Sequence, residues 1–144
     1  MSGNYEGDVT VDECWSALSD DPEAFLIDVR TAAEWTYVGV PVAPADARQP
    51  VFAEWQSFPS MQADPAFADK LGRHILGSGG THDTRLYFLC RSGARSMATA
   101  AAMTAAGFAH CFNVIDGFEG PVDESGHRGR AAGWKAEGLP WQQR

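Results

Sequence analysis

The chain has 144 residues, is 44% hydrophobic and 21% charged, and carries a formal net charge of −8 from 19 acidic and 11 basic residues. Such apolar content argues against disorder, and the length suits one domain over 1–144, since a domain of roughly 150 residues buries about two-thirds of the surface its unfolded chain exposes. So negative a chain is a poor partner for nucleic acid or an anionic membrane surface.

The charge is uneven. Residues 1–72 hold 13 acids and 3 bases, whereas residues 73–144 hold 6 acids and 8 bases. A site for a small anion is therefore expected in the second half. The three cysteines, Cys14, Cys90 and Cys111, have no regular spacing, which fits neither a disulfide framework nor a zinc site. The first residues, Met-Ser-Gly-Asn-Tyr-Glu-Gly-Asp, show neither the basic nor the apolar segment of a signal peptide, and no apolar run approaches the ~18 residues of a membrane span. The expectation is a cytoplasmic protein with free thiols.

In chain order, a short strand near Asp8-Val9 precedes Thr10-x-x-Glu13, which fits a helix capping box. Phe25-Leu26-Ile27-Asp28-Val29 reads as a strand buried on both faces, because its hydrophobicity is continuous rather than alternating. A second capping box, Thr31-x-x-Glu34, follows it. Arg30 and Glu34, four apart, are expected to form a structural pair. Five prolines between residues 40 and 66 (Pro41, Pro44, Pro50, Pro59 and Pro65) make that stretch loop-rich, with one edge strand near Val51–Trp55. Gly77-Ser78-Gly79-Gly80 reads as a flexible connection. It precedes a strand, where a dinucleotide-binding loop would follow one.

Leu86–Leu89 is a second buried strand, and Cys111-Phe112-Asn113-Val114-Ile115 a third. Between them an Ala- and Met-rich helix runs to about Ala106 and ends at Gly107. This alternation predicts an α/β domain in three layers, with a mainly parallel central sheet flanked by helices.

The segment carrying chemistry is Cys90-Arg91-Ser92-Gly93-Ala94-Arg95-Ser96, a strand end, a compact loop and a helix start. Ligands of open α/β sheets bind beyond the carboxyl ends of strands, and here loop N–H groups and the positive helix terminus converge. A cysteine at a helix N-terminus beside arginine is the usual setting of a nucleophilic thiolate, whereas an ordinary free cysteine is a small core residue. Cys14 and Cys111, without basic neighbours, are read as core. His82, His110 and the tract His127-Arg128-Gly129-Arg130 lack ligand spacing and are read as surface or packing residues.

The chain resembles the rhodanese-type sulfurtransferases. The likeness rests on Asp28-Val29-Arg30-Thr31-x-x-Glu34-Trp35, on the Cys90–Ser96 loop, on Asn113-Val114-x-x-Gly117-Phe118, and on Gly133-Trp134-Lys135-x-x-Gly138-Leu139-Pro140-Trp141. These segments occur in the family's order from about residue 8 to 141. After Gly39 the family's usual histidine segment is replaced by Val40-Pro41-Val42-Ala43, and residues 44–84 form a longer insertion containing Glu54-Trp55-Gln56-x-Phe58-Pro59.

The resemblance implies that Cys90 is the nucleophile and forms a persulfide, with no cofactor and no metal. Arg91, Ser92, Gly93, Ala94, Arg95 and Ser96 are then the substrate-binding residues. The partners are a small anionic sulfur donor such as thiosulfate and a thiol acceptor. Arg95 either faces the sulfur or pairs with Asp28 to brace the loop, with Asp28 and Arg30 as supporting residues. A non-catalytic or redox-sensing interaction module of the same family is the alternative. A phosphatase or arsenate reductase fits less well, because only Arg91, Ser92, Gly93 and Ala94 separate Cys90 from Arg95, a loop short for a tetrahedral oxyanion. The oligomeric state is open.

Overall fold

A computed structural model describes residues 4–57, 60 and 62–143. Its central sheet has five parallel strands, β1 (Gly7–Val9), β2 (Phe25–Asp28), β4 (Val51–Phe52), β7 (Arg85–Leu89) and β8 (His110–Val114), in the order β1-β8-β7-β2-β4. The expected three-layer α/β architecture is therefore present. Both faces of the sheet are covered, which is why its strands read as continuous apolar runs.

Helix α1 (Val11–Asp20) begins at the first capping box, where Thr10 and Glu13 exchange hydrogen bonds of 2.8 and 3.1 Å. It packs Val11, Cys14 and Leu18 against Leu26, Tyr87 and Leu89 on one face of the sheet, and Trp134 closes this layer. On the other face, α3 (Phe67–Gly77) and α4 (Ala94–Ala105) cover Phe25, Ile27, Leu86, Phe88 and Cys90. Cys90 thus belongs to the α4 side by the alternation of strand side chains. The short helix α2 (Ala32–Tyr37) starts at the second capping box, formed by Thr31 and Glu34 as expected.

Two small antiparallel ladders complete the fold. β5 (Gln56–Ser57) pairs with β6 (Gln62–Ala63), and β3 (Val40–Pro41) pairs with β9 (Trp141–Gln142). The latter ties the end of the chain beside α2, where Trp134 donates its indole N–H to the Pro140 carbonyl at 2.7 Å. The expected edge strand is the shorter β4. Phe58 and Pro59 of the insertion lie outside the described residues.

Helix α3 is not foreseen from the sequence. Phe67, Leu71 and Ile75 recur at helical spacing and are all buried. However, Ala66 provides no side-chain cap, and Gly72 and Gly77 interrupt the pattern. Gly72 is itself buried beside the Phe108 ring, which a Cβ there would meet at ordinary contact distance. Ile75→Ala should therefore destabilise the domain by about 2–5 kcal/mol in denaturant unfolding, whereas Arg73→Ala, on the exposed face and paired only with Asp69, should cost under about 0.5 kcal/mol.

Candidate active site

Cys90 follows the central strand β7, and the chain turns at once into α4. Gly93 makes the turn with φ +110°, a left-handed conformation that glycine adopts without penalty. Cys90 is 1% exposed, and its Sγ accepts the Gly93 N–H at 3.1 Å and lies 3.2 Å from Ser96 Oγ. Among the described residues, no acceptor takes the N–H groups of Arg91, Ser92, Ala94, Arg95 or Ser96. The helix start thus leaves a set of free donors around the mouth above the sulfur.

That mouth opens into a cavity of about 800 Å³. Its walls are the loop residues Arg91, Ser92, Ala94 and Arg95, the α2 region from Thr31 to Val38, Gln56 of β5, and Glu119. Tyr37, 83% exposed, stands on the α2 wall.

The turn after β8 holds the loop from behind. Phe118 N–H donates to the Cys90 carbonyl at 2.8 Å, and Glu119 and Gly120 N–H groups donate to the Arg91 carbonyl at 3.0 and 3.1 Å. Gly117 (φ +61°) permits this approach, since a Cβ there would lie 2.4 Å from the Cys90 carbonyl oxygen.

The charges partition differently from the expectation. Arg95 does not pair with Asp28; it makes two hydrogen bonds to Glu34, at 2.6 and 2.9 Å. Arg30 does not pair with Glu34; it grips Asp28 through Nε–Oδ1 at 2.9 Å and Nη2–Oδ2 at 2.7 Å, and both residues are fully buried. The reason is local. Arg30 precedes the cap of α2 and is not on the helix, so the four-residue spacing to Glu34 places nothing side by side. It folds back on Asp28 two residues earlier, donates to the Gly39 carbonyl and stacks 4.2 Å above the Phe118 ring.

Burial acts to raise the Glu34 pKa, but the Arg95 hydrogen bonds, the Thr31 N–H and the Arg95 charge outweigh it and hold the carboxyl down at about 2. Arg91, by contrast, is exposed and has no acidic partner among the described residues. The positive loop expected from the second half of the chain is therefore half neutralised by an acid from the first.

The remaining sequence candidates lie elsewhere. Cys14 and Cys111 are buried thiols, and burial pushes Cys111 up to about 11. His110 pairs with Glu6 at 2.6 Å, and His82 packs on Phe108. Among the described residues, no group of three or more His, Cys, Asp or Glu side chains is arranged to hold a metal. Sequence reasoning misses Glu34 as the loop's partner, Tyr37, Gln56 and Glu119 as cavity walls, and Asn113, which accepts from Ser96 at 2.6 Å. Glu34 and Asn113 carry a signal, through their places in family-like segments.

A doubly wound parallel sheet with a cysteine loop at the carboxyl end of its central strand defines the class. Residues 10–124 match the rhodanese-like domain model, and the chain belongs to that family. It is 39% identical over 130 residues to the uncharacterized protein RP600 of Rickettsia prowazekii, covering 90% of this chain and 92% of that protein. The crystal structure of Rv0390 from M. tuberculosis superposes with a TM-score of 0.84 at 42% identity, covering 97% of this chain and 99% of the other. The polysulfide-sulfur transferase homodimer of Wolinella succinogenes shares the fold at a TM-score of 0.58 and 21% identity, over 99% and 82% of the two chains.

The Glu34 shift sets a pH dependence. A carboxyl whose pKa is lowered on folding stabilises the fold above its unfolded value near 4.5 and loses that contribution as pH falls toward about 2. Thermal unfolding between those pH values should show the wild type losing more stability than Glu34→Gln.

Proposed function

We propose that the protein is a sulfurtransferase that carries sulfur as a Cys90 persulfide. The observation that carries this reading is the nearly buried Cys90 sulfur at the floor of an open cavity, with Gly93 N–H on the sulfur and unpaired loop N–H groups around it. Such donors stabilise a sulfur anion, and the neighbouring helix terminus adds to them.

In the first half-reaction the Cys90 thiolate attacks the outer sulfur of thiosulfate. The S–S bond of the donor breaks, sulfite departs with the electron pair, and Cys90 holds a terminal persulfide anion. A thiolate acceptor then attacks that outer sulfur, and the Cys90 thiolate leaves as the new persulfide forms on the acceptor. Covalent catalysis divides one transfer into two steps, and the chemistry calls for no cofactor beyond the cysteine. Arg91 receives the anionic donor at the rim, while Arg95, held by Glu34, fixes the loop instead.

The same geometry disfavours phosphoryl transfer. The loop between Cys90 and Arg95 is short, and Arg95, the residue that would close it around an oxyanion, is already committed to a carboxylate. The reading sets the reaction in the cytoplasm, where acceptor thiols stay reduced. Among the described residues no helix is long and apolar enough to cross a membrane. The name of the Wolinella fold neighbour, a polysulfide-sulfur transferase, accords with this chemistry.

Mass spectrometry after incubation with thiosulfate should find one added sulfur atom on Cys90, and Cys90→Ser should show neither the adduct nor turnover. An unmodified Cys90, together with a Cys90→Ser variant that turns over normally, sinks the reading. Arg91→Glu should raise KM for thiosulfate by about tenfold or more, the loss of one charge-assisted contact, whereas Arg85→Glu at the opposite end of β7 should leave KM near the wild-type value.

A further inference from the structure

Behind the cavity a chain of side-chain hydrogen bonds runs from the edge of the sheet to the sulfur, and the proposed mechanism does not use it. The parallel register of β1 and β8 sets Asp8 directly opposite Asn113. Asn113 Nδ2 donates to Asp8 Oδ1 at 3.1 Å, and the Tyr5 hydroxyl donates to the same oxygen at 2.8 Å. Burial, then the Asp8 carboxylate, raises the pKa of the Tyr5 phenol and keeps it a donor.

An ionised carboxylate only accepts, so Asp8 decides how the Asn113 amide lies. Nδ2 faces Asp8 and Oδ1 faces the buried Ser96. Ser96 Oγ donates to that oxygen at 2.6 Å, a shorter contact than its 3.2 Å approaches to the Gly93 carbonyl and to Cys90 Sγ. A serine hydroxyl has one proton. Committed to Asn113, it is turned away from Cys90, and a Ser96 lone pair faces the sulfur instead. In this arrangement the Cys90 thiol is the donor to Ser96.

We infer that Asp8, acting through Asn113 and Ser96, restrains ionisation of Cys90 by holding the Ser96 proton away from the sulfur. Asp8 is thus a positioning residue, on the far side of β8 from the sulfur. Once the sulfur is anionic, the Ser96 hydroxyl has to swing from Asn113 to the sulfur, and the Asn113 carbonyl loses a buried partner. The inference rests on Cys90 being the working thiol, and it deepens the proposed function by naming what limits its nucleophilicity at rest.

Other charges surround the sulfur and stay in place when Asp8 is changed. They are Arg91 and Arg95 from the loop and α4, Glu34 from α2, the Asp28–Arg30 pair at the end of β2, and Glu119 in the turn after β8.

The test is the pH dependence of Cys90 alkylation by iodoacetamide, read on the Cys90 peptide by mass spectrometry in the full-length protein. Asp8→Val releases the Asn113 amide to turn its NH₂ toward Ser96, which frees the serine proton for the sulfur. Alkylation below the midpoint pH should rise about three- to tenfold, a downward shift of the curve by half to one pH unit. Asp8→Asn retains an acceptor oxygen for Asn113 and should stay near the wild-type curve. In a Ser96→Ala background, Asp8→Val should no longer move the curve. If Asp8→Val proves too unstable to purify, Asn113→Ala, which removes the acceptor itself, should give the same shift.

An unmoved curve in the variants that lose the acceptor overturns the inference. So does a shift of equal size in Asp8→Asn, or one that survives Ser96→Ala, because Asp8 would then act as a bare charge. Alkylation requires no sulfur transfer, so the relay is tested even in a protein that forms no persulfide.

Discussion

The geometry of the site depends on one backbone contact between neighbouring loops. The turn after β8 donates its N–H groups to the Cys90 and Arg91 carbonyls, with Phe118 N–H at 2.8 Å from the first. No side chain fits between the two segments, since a Cβ at Gly117 would meet the Cys90 oxygen at 2.4 Å. The parallel pairing of β7 with β8 brings these loops to the same sheet end. With its carbonyls directed backwards, the loop turns its N–H groups forward into the cavity. A tight left-handed turn at Gly93 then carries Gly93 N–H onto the sulfur.

Two ion pairs divide the structural work around this loop. Asp28–Arg30 is fully buried and braces the base, with the guanidinium capped by Phe118 of the turn that clamps the loop. A buried pair of this kind contributes little net stability by itself, but removing one partner strands the other charge in the interior. Glu34–Arg95 is only partly buried and spans from α2 to the first turn of α4, so it joins the cavity wall to the loop. Because each of these arginines has a carboxylate, the uncompensated positive charge at the cavity mouth, among the described residues, is that of Arg91 and the loop N–H groups. The bulk acidity of the chain, at −8, has little bearing on that local field.

Much of the fold was legible because its signals are local. Thr10 with Glu13 and Thr31 with Glu34 mark helix starts through contacts three residues apart, and both capping boxes are present. The runs at Phe25, Leu86 and Cys111 announce strands covered on both faces, and each is a strand of the central sheet. Helix α3 was harder to see. Phe67, Leu71 and Ile75 follow the helical period, but two glycines and the absence of a cap mask it.

The amino-acid sequence by itself determined the parallel α/β architecture and the placing of Cys90 between a strand and a helix, because these follow from short-range patterns of apolarity, capping and turn residues; the family showed in the resemblance of its motif segments. Only the tertiary structure decided which carboxylates Arg30 and Arg95 take and that Ser96 meets Asn113. Glu34 meets Arg95 across 61 positions of sequence, and Asp8 meets Asn113 across 105. Such partners are chosen by strand order and register, which bring together side chains that no local spacing relates. Physically, a buried charge or hydroxyl takes whichever acceptor the packing presents, and packing is a property of the whole chain.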